Sequence, residues 1–437
     1  MKKPKYDLVI KCGRVIDPAL GFGSEADVFV KDAKIVKITR MSKATKKEIS
    51  ALPEENIIDA SGKLVTPGLI DMHVHLREPG REDKETIITG CRAAAGGGFT
   101  TVCCMPNTTP AIDNQETVKF VLSRAEDADA RVYVVGAITK ALEGKELAEI
   151  GDLVAGGAVA ISDDGSYVQN PEIMRRALEY AKMFDIPIIT HAEDEFLFAG
   201  GVMNESYEGT RLGMKGRPAV GEVIAVLRDV RLCDFVGGKL HVAHVSTAGA
   251  VEAIRQAKKE GVNVTAEACP HHFTLTDDEI GKEFDPNLKV NPPIRTKKDV
   301  DAVIRCLVDG SLDCIASDHA PHSEEEKDVE FDQAPSGMIG LETTLGLVKT
   351  QLIDKGFLSW ADAIRKMTVN PARILRLPGG TLEKDSVADI TIIDPDKKWT
   401  VKKDNFRSKS KNSAFIGWKL SGKVFCTILG GRVVYRS

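Results

Sequence analysis

The chain has 437 residues, of which 43% are hydrophobic and 28% charged, a composition typical of globular proteins with a sizeable buried core. Its formal net charge is −5, from 59 basic and 64 acidic side chains, which disfavours nucleic acid or an anionic membrane as the main partner. The sequence contains no signal-peptide or membrane-spanning stretch, and its nine cysteines form no C-x-x-C pair, which favours reduced thiols in a cytoplasmic protein.

Both ends of the chain are predicted to form short β-strands. In the first part, alternating and apolar runs predict strands at residues 7–10, 26–30, 34–38, 57–59 and 64–65. The last part has the same character, with predicted strands at residues 388–394, 424–429 and 432–435. The segment between them lacks this series of closely spaced strands. The two ends are therefore expected to build one small β-sandwich domain together.

The middle of the chain alternates short apolar strands with helical stretches. Strands are predicted at residues 100–104, 132–137, 158–161, 186–190, 240–243, 262–266 and 314–316, and helices at 114–125 and 171–184. Repeated strand-then-helix order implies parallel strands covered by helices, and about eight such units favour a (β/α)8 TIM-like barrel. An open, doubly wound sheet is the alternative, but no G-x-G-x-x-G fingerprint supports it. The expected domains are residues 1–66 and 373–437 for the β-sandwich and 67–372 for the barrel.

Ligand-type side chains follow the predicted barrel strands. His73 and His75 lie two residues apart, so their side chains project to the same face of a strand. The remaining residues of this kind each come directly after a strand; they are Asp164 with its neighbour Asp163, His191, His244 and Asp318. Because the carboxyl ends of barrel strands form one face, these side chains are expected to converge there as a metal site. The alternative is a set of unrelated surface or core residues.

The type and number of these residues narrow the chemistry. Imidazole and carboxylate without thiolate suit Zn²⁺, and less uniquely Mn²⁺, Co²⁺ or Fe²⁺. Six protein ligands exceed the three or four of one catalytic zinc, so two metals sharing a carboxylate would use them naturally. A metal that activates water, with a carboxylate nearby to carry the proton, serves hydrolysis of an amide, imide or ester.

Further polar residues mark a substrate side. Arg77 follows the two histidines with the same strand parity, and its guanidinium fork suits a carboxylate. Asn107 and Asn291 could bind a carboxylate or a carbonyl, although each taken alone reads as a turn residue. Of the other histidines, His241 is expected to face away from His244 and to pack or bond elsewhere.

Five stretches together resemble the dihydroorotases of the longer bacterial and archaeal type, within the amidohydrolase superfamily. They are PGLIDMHVHLREPG at residues 67–80, AAAGGGFTTVCCMPN at 93–107, SDDG at 162–165, HVST at 244–247 and SDHAPH at 317–322. The resemblance covers essentially the whole chain. It implies a zinc enzyme of de novo pyrimidine synthesis that interconverts N-carbamoyl-L-aspartate and L-dihydroorotate.

The same resemblance implies residue roles. The first metal would be held by His73, His75 and Asp318, the second by His191 and His244, with Asp164 as the bridge. Hydantoinases, allantoinases and shorter dihydroorotases bridge with a carboxylated lysine, and no lysine stands near Asp164. Asp318 would be the general base and acid. Substrate contacts would match His75, Arg77, Asn107, Asn291, His322 and the backbone of Ser336 and Gly337.

Alternative functions and partners stay open at this stage. One alternative is a cyclic amidase for hydantoin, allantoin or dihydropyrimidine, although a neutral ring would not need Arg77. Another is a metal-free scaffold, which the complete set of ligand-type residues disfavours. A homo-oligomer is expected, with association with aspartate transcarbamoylase as a further possibility, and the acidic segment 321–340 is interpreted as a lid over the substrate.

Overall fold

The two ends of the chain meet in one eight-stranded sheet. The computed structural model describes residues 5–437. The strands of this sheet are β1 (Leu8–Asp17), β2 (Phe22–Lys31), β3 (Lys34–Thr39), β4 (Ile57–Asp59), β5 (Leu64–Pro67), β16 (Ile390–Thr400), β17 (Lys419–Leu429) and β18 (Arg432–Arg436). Their order is β18-β17-β16-β5-β1-β2-β3, with β4 paired to β1. The predicted β domain from both termini is therefore confirmed as a sheet that is antiparallel apart from the pairing of β1 with β4 and β5.

The junction between the two ends is a direct strand pair. Strand β16 runs antiparallel to β5, with Ile392 opposite Val65. Both side chains are buried, and they share a core cluster with Ile10, Val28 and Ile428. Apolar residues alternate along these strands, so burial of one face holds strands from the two termini in register.

The middle of the chain forms a parallel barrel. Its strands, in spatial order, are β6 (Leu69–Val74), β7 (Phe99–Cys104), β8 (Arg131–Ala137), β9 (Ala158–Ser162), β10 (Ile188–Thr190), β13 (Leu240–Val242), β14 (Val264–Ala268) and β15 (Cys314–Ile315). The first and last strands approach each other where the backbone N–H of His75 donates to the carbonyl of His319 at 2.8 Å. The (β/α)8 prediction is confirmed, and the open-sheet alternative is excluded. A small ribbon, β11 (Met203–Asn204) with β12 (Gly216–Arg217), lies outside the barrel sheet.

Helices follow the strands. The α-helices are α1 (Lys43–Ile49), α2 (Ile87–Gly97), α3 (Gln115–Arg124), α4 (Ile150–Gly156), α5 (Pro171–Met183), α6 (Glu195–Phe198), α7 (Tyr207–Arg211), α8 (Ala219–Val236), α9 (Ala248–Lys259), α10 (Pro270–Thr274), α11 (Ile280–Glu283), α12 (Lys297–Asp309), α13 (Glu324–Lys327), α14 (Leu341–Leu347), α15 (Trp360–Lys366) and α16 (Val369–Leu375). Short 3₁₀ turns lie at Glu54–Asn56, Lys140–Leu142, Asp277–Glu279, Pro286–Leu288 and Lys403–Asn405, and a π-helical turn lies at Val348–Ile353. Across residues 5–437, none of these helices is long and apolar enough to cross a bilayer.

Helix α5 shows how local sequence sets these elements. The side chain of Asn170 accepts a hydrogen bond from the backbone of Glu172, and Pro171 occupies the first helical turn, where its missing N–H costs nothing. The apolar residues of α5 recur at helical spacing, and Met174 and Leu178 are buried. The helix therefore packs its buried face against the barrel strands. It agrees with the helix predicted at residues 171–184.

The C-terminal segment also reaches the open end of the barrel. The side chain of Asn412 donates to the carbonyls of Ala320 and Gly337, both at 3.2 Å. In return, the backbone N–H of His322 donates to the Asn412 carbonyl oxygen at 3.0 Å. The loops after β15 are thus held by residues from the far end of the chain. The domain boundaries given above remain a prediction, and α16 runs across the one between residues 372 and 373.

Candidate metal centre and substrate cavity

Ligand-type side chains from five strands meet at the carboxyl end of the barrel. His73 lies near the end of β6 and His75 directly after it. The other four residues lie one to three positions beyond the ends of their strands: His191 after β10, Asp164 after β9, His244 after β13 and Asp318 after β15. All six residues are buried. The side chains converge as expected from the sequence, because the carboxyl ends of parallel strands lie at one face of the barrel.

Asp164 lies at the centre of the cluster. Its Oδ1 atom is 3.3 Å from His73 Nε2, 3.4 Å from His191 Nδ1 and 3.5 Å from His244 Nε2. Its Oδ2 atom is 3.5 Å from His75 Nε2. Burial opposes ionisation of Asp164, but the charge on His73 and the close approach of the neighbouring imidazoles outweigh it and hold its pKa well below the usual value. One carboxylate thus faces four imidazoles with both of its oxygens.

Asp318 is the second carboxylate of the cluster and contacts the two histidines at the end of β6. Its Oδ1 atom lies 3.1 Å from His75 Nε2 and 3.6 Å from His73 Nε2. Burial opposes ionisation here too, but the hydrogen bond from His75 and the charge on His73 keep the pKa of Asp318 below its ordinary value. Two groups of three ligand atoms, each within 4.8 Å, result: His73 with Asp164 and His244, and His73 with His75 and Asp318.

The donor set fits a divalent cation. Within the described part of the chain, His73 Nε2 and Asp164 Oδ1 are buried and have no hydrogen-bond partner. An unpaired buried polar atom costs about 1–3 kcal/mol, and a cation between these atoms would satisfy both. Nitrogen and carboxylate oxygen without sulfur is a donor set that borderline divalent metals accept. The clusters can therefore hold a divalent metal.

Three of the histidines are oriented by hydrogen bonds on their outer ring nitrogen. His73 Nδ1 lies 2.7 Å from Glu267 Oε1, and His75 Nδ1 lies 2.8 Å from Asn107 Oδ1. His191 Nε2 lies 3.2 Å from Glu193 Oε2. Such partners hold each ring in one orientation with its inner nitrogen towards the cluster, where loss of the proton from that nitrogen would free its lone pair for a metal.

Glu193 and Glu267 were missed by the sequence reasoning. Both could have been found from the sequence. Glu267 directly follows the strand predicted at residues 262–266, and Glu193 lies two residues after His191. His241 bonds elsewhere, as expected: its Nε2 atom lies 3.3 Å from Glu267 Oε2 and its Nδ1 atom 2.8 Å from Thr265 Oγ1. Glu267 thus supports two histidines of the barrel, His73 through Oε1 and His241 through Oε2.

A cavity of about 200 Å³ opens next to the cluster. Its lining contains the predicted substrate contacts together with ligand-type residues: His75, Arg77, Asn107, Asp164, His191, His244, Asn291, Asp318, His322, Ser336 and Gly337. His73 is fully buried and lies behind this wall. Every residue assigned to the substrate side from sequence thus lines the space beside the ligand cluster.

Arg77 reaches the cavity by a different route from the one expected. Strand β6 ends at Val74, and Arg77 has a φ of +61°, so strand parity does not direct its side chain. Its Nε atom donates to the carbonyl of Pro321 at 3.1 Å, and burial lowers the pKa of the guanidinium to about 10, which leaves it positively charged at neutral pH. The parity argument was wrong, although Arg77 does line the cavity, and its contact with a substrate stays a prediction.

Left-handed backbone recurs at this site. His244 has a φ of +33° and Asp318 a φ of +47°, in addition to Arg77. Non-glycine residues in this region cost on the order of 1–3 kcal/mol each and cluster at functional sites. The surrounding packing therefore holds these side chains in place against a local backbone preference.

The segment 321–340 covers one side of the cavity. It contains helix α13, where Glu326 lies 2.8 Å from Lys84 Nζ and 2.7 Å from Arg81 Nη2. His322 bonds the carbonyl of Ser336 through Nε2 at 2.9 Å. One acidic residue of the segment interpreted from sequence as a lid, Glu326, thus ties it to the loop after β6 by ion pairs.

Comparison with known proteins assigns the family. A family model described as "Dihydro-orotase-like" matches residues 62–250, and one described as "Amidohydrolase family" matches residues 338–435. The dihydroorotase of Pelotomaculum thermopropionicum is 53% identical over 427 residues, covering 98% of either chain. That of Syntrophotalea carbinolica is 52% identical over 430 residues, covering 98% of this chain and 99% of its own.

A solved structure has the same fold over almost the whole chain. L-Hydantoinase from Arthrobacter aurescens superimposes with a TM-score of 0.88 at 28% identity, covering 99% of this chain and 96% of its own. The likeness therefore extends over the terminal sheet as well as the barrel. Since the sequence relatives are similar over almost their entire length, the chain belongs to the dihydroorotase family of the amidohydrolase enzymes.

Proposed function

We propose that this protein interconverts N-carbamoyl-L-aspartate and L-dihydroorotate in pyrimidine synthesis, by closing or opening a ring amide. The observation that carries the proposal is the position of Arg77 in the same cavity as the His and Asp cluster. The cluster suits hydrolysis of an amide, and a guanidinium beside it suits a substrate that also carries a carboxylate. The family membership of the chain supports the same reaction.

The metal is proposed to be Zn²⁺, one or two ions per chain. His73, His75 and Asp318 would hold the first ion, His191 and His244 the second, and Asp164 would bridge them if both are present. When bound, such an ion lowers the pKa of water and polarises a carbonyl oxygen. The short distances from Asp164 to four imidazoles support a bridging role for this carboxylate.

Asp318 is proposed to move the proton. In ring opening its carboxylate takes a proton from water and passes it to the ring nitrogen that leaves the carbonyl carbon, and in ring closure it carries the proton back. Its side chain belongs to the ligand cluster, contacts His75 and also lines the cavity, so it can reach both a metal-activated water and the substrate. The cycle returns Asp318 to its ionised form.

The remaining residues are proposed to bind and orient the substrate. Arg77 would pair with the substrate carboxylate, and the amides of Asn107 and Asn291 would bond polar groups of the ring. His322 and the backbone of Ser336 and Gly337 would complete the contacts on the side of segment 321–340. Their shared position around one cavity supports this arrangement.

The wider setting is also part of the proposal. The domains would be residues 1–66 with 373–437 and residues 67–372, and the chain would form a homo-oligomer able to associate with aspartate transcarbamoylase. The nine cysteines of the sequence all occur as free thiols, most of them buried, which supports a reducing compartment such as the cytoplasm.

A cyclic amidase acting on hydantoin or dihydropyrimidine is the second candidate, since a hydantoinase is among the similar structures. The deciding experiment measures ring opening of L-dihydroorotate, hydantoin and dihydrouracil by one metal-analysed sample. We expect turnover of L-dihydroorotate well above that of the two neutral rings. Preferred turnover of a neutral ring would replace the first candidate by the second, and no turnover by protein with full metal content would reject both.

A further inference from the structure

A carboxylate that belongs to neither the ligand set nor the predicted substrate contacts stands behind His191. Glu193 Oε2 lies 3.2 Å from His191 Nε2, on the side of the ring away from the cluster. The other ring nitrogen, Nδ1, faces Asp164 and lies 2.8 Å from His244 Nε2. The imidazole of His191 therefore stands between Glu193 and the cluster.

Two further side chains hold Glu193. Arg217 Nη1, from ribbon strand β12, donates to Glu193 Oε1 at 2.9 Å and to Asn291 Oδ1 at 2.5 Å. Asn291 Nδ2 donates to Glu193 Oε2 at 2.8 Å and lies 3.0 Å from His191 Nε2. Arg217 is itself anchored, because its Nε atom donates to the carbonyl of Gly201 at 2.7 Å.

The hydrogen-bonding capacity of each side chain fixes which end of the Asn291 carboxamide faces which neighbour. Arginine only donates, so the atom of Asn291 that faces Arg217 must be the carbonyl oxygen, and the amide nitrogen must face Glu193 and His191. A nitrogen that carries hydrogens cannot accept the proton of His191. If His191 binds metal through Nδ1, its proton is on Nε2, and Glu193 Oε2 is the acceptor within reach in this group.

We propose that Glu193, clamped by Arg217 and Asn291, is a positioning residue that fixes His191 in the tautomer whose Nδ1 lone pair binds the metal. This inference rests on the proposed function in one respect, the assignment of His191 as a ligand. It also gives Asn291 a second role, because its carboxamide joins the substrate cavity to a metal-binding histidine.

The first test compares Glu193→Gln with Asp194→Asn. Gln at 193 keeps the size but turns one oxygen into an N–H₂ group that faces Arg217 or Asn291, both donors. Asp194 is the adjacent carboxylate and only caps helix α6, a role that asparagine also fills. The readout is the affinity for Zn²⁺ alone, measured by chelator competition without substrate.

We expect Glu193→Gln to weaken Zn²⁺ binding by about 10- to 100-fold, the usual effect of losing such a partner, and Asp194→Asn to leave it unchanged. Equal affinity in Glu193→Gln and the parent protein would overturn the proposal. If Glu193→Gln does not fold, the Zn²⁺ affinity of Arg217→Met is measured instead. This variant removes the hydrogen bonds from Arg217 to Glu193 and Asn291 but keeps the carboxylate, so we expect weaker Zn²⁺ binding. An unchanged affinity there would likewise count against it.

A second readout tests whether Asn291 couples the substrate cavity to the metal-binding histidine, in variants that keep the parent unfolding midpoint. We expect Asn291→Ala to lower both Zn²⁺ affinity and substrate affinity, whereas Arg77→Ala lowers substrate affinity alone. Loss of substrate affinity with full Zn²⁺ affinity in Asn291→Ala would limit Asn291 to substrate binding and refute the coupling. Because Zn²⁺ affinity is measured without substrate, these results stand even if L-dihydroorotate proves not to be turned over, which would reject the proposed function instead.

Discussion

The Oδ1 atom of Asp318 lies 3.1 Å from the Nε2 atom of His75, although the two residues are 243 positions apart in the chain. The contact joins the first and last strands of the barrel at the open end, next to the substrate cavity. A carboxylate placed there can serve as a metal ligand and as a proton carrier, and substitution can separate the two roles.

Asp318→Asn should retain metal and lose almost all turnover. Asparagine keeps an oxygen for coordination but cannot take up a proton, so we expect kcat to fall by about 10²–10⁴-fold, the usual contribution of general acid–base catalysis. Metal content and kcat are measured on the same preparation, with Asp301→Asn on the exposed face of α12 as control. A variant with normal kcat would remove Asp318 from the proton transfer.

Arg77→Ala should impair substrate binding far more than metal binding. Loss of one member of a desolvated charge pair costs about 2–5 kcal/mol, so we expect a large rise in KM for L-dihydroorotate. Zn²⁺ content should stay at the level of the parent protein, because the Arg77 side chain bonds the carbonyl of Pro321 and no ligand residue. Arg176→Ala, on the exposed surface of α5, is the control. An unaltered KM would show that another group binds the carboxylate.

Much of this site was predictable because it obeys one local rule. Each ligand-type residue lies at or shortly after the end of a predicted strand, and parallel barrel strands bring such positions together at one face. Arg77 shows where the rule stops, since its left-handed backbone, and not strand alternation, sets its direction. A loop conformation depends on the contacts that hold it, and those contacts are not written in the local sequence.

The supporting groups depend on contacts between distant parts of the chain. Asn412 holds the loop of His322 from the C-terminal segment, and Arg217 reaches Asn291 from a two-residue strand. Nothing near Asn412 in the sequence marks it, because its partners are backbone carbonyls 75 and 92 residues away. Such residues are identified only when the fold brings them to the site.

Removal of metal should lower both activity and stability. Without a cation the buried carboxylate and imidazoles of the cluster are imperfectly paired, and bound metal stabilises the folded chain by mass action. We expect chelator treatment to abolish ring opening and to reduce the thermal unfolding midpoint, and added Zn²⁺ to restore both. Activity that survives complete metal removal, verified by metal analysis, would contradict the assignment of the centre.

Replacement of residues 323–328 by a six-residue Gly-Ser linker should reduce turnover. The segment contains Glu326, which bonds Lys84 and Arg81 and lies 3.1 Å from His322 Nδ1, so its loss leaves His322 poorly positioned. Small displacements of a binding group cost up to about 10²-fold in rate, and a fall of this order in kcat/KM is expected. The unfolding midpoint is measured in parallel. An unchanged rate would end the interpretation of this segment as a lid.

Lys327 should make stability depend on pH above neutrality. Its side chain is 7% exposed, and Nζ donates to the carbonyls of Pro286 at 2.9 Å and Pro335 at 2.8 Å. Burial lowers its pKa to about 7, from 10.5 in an exposed lysine. Between these values the unfolded chain binds a proton that the folded chain does not, so this group makes stability rise with pH from 7 towards 10.5.

Lys327→Met removes this titration while filling a similar volume. We therefore expect the unfolding midpoint of the parent protein, relative to that of Lys327→Met, to increase between pH 7 and pH 9. The comparison cancels groups common to both proteins, and a conservative change at an exposed lysine, Lys298→Met, serves as control. A difference in midpoint that stays constant over this range would contradict the prediction. It would mean that Lys327 stays protonated in the folded protein, because its two hydrogen bonds to carbonyl oxygens stabilise the charged form.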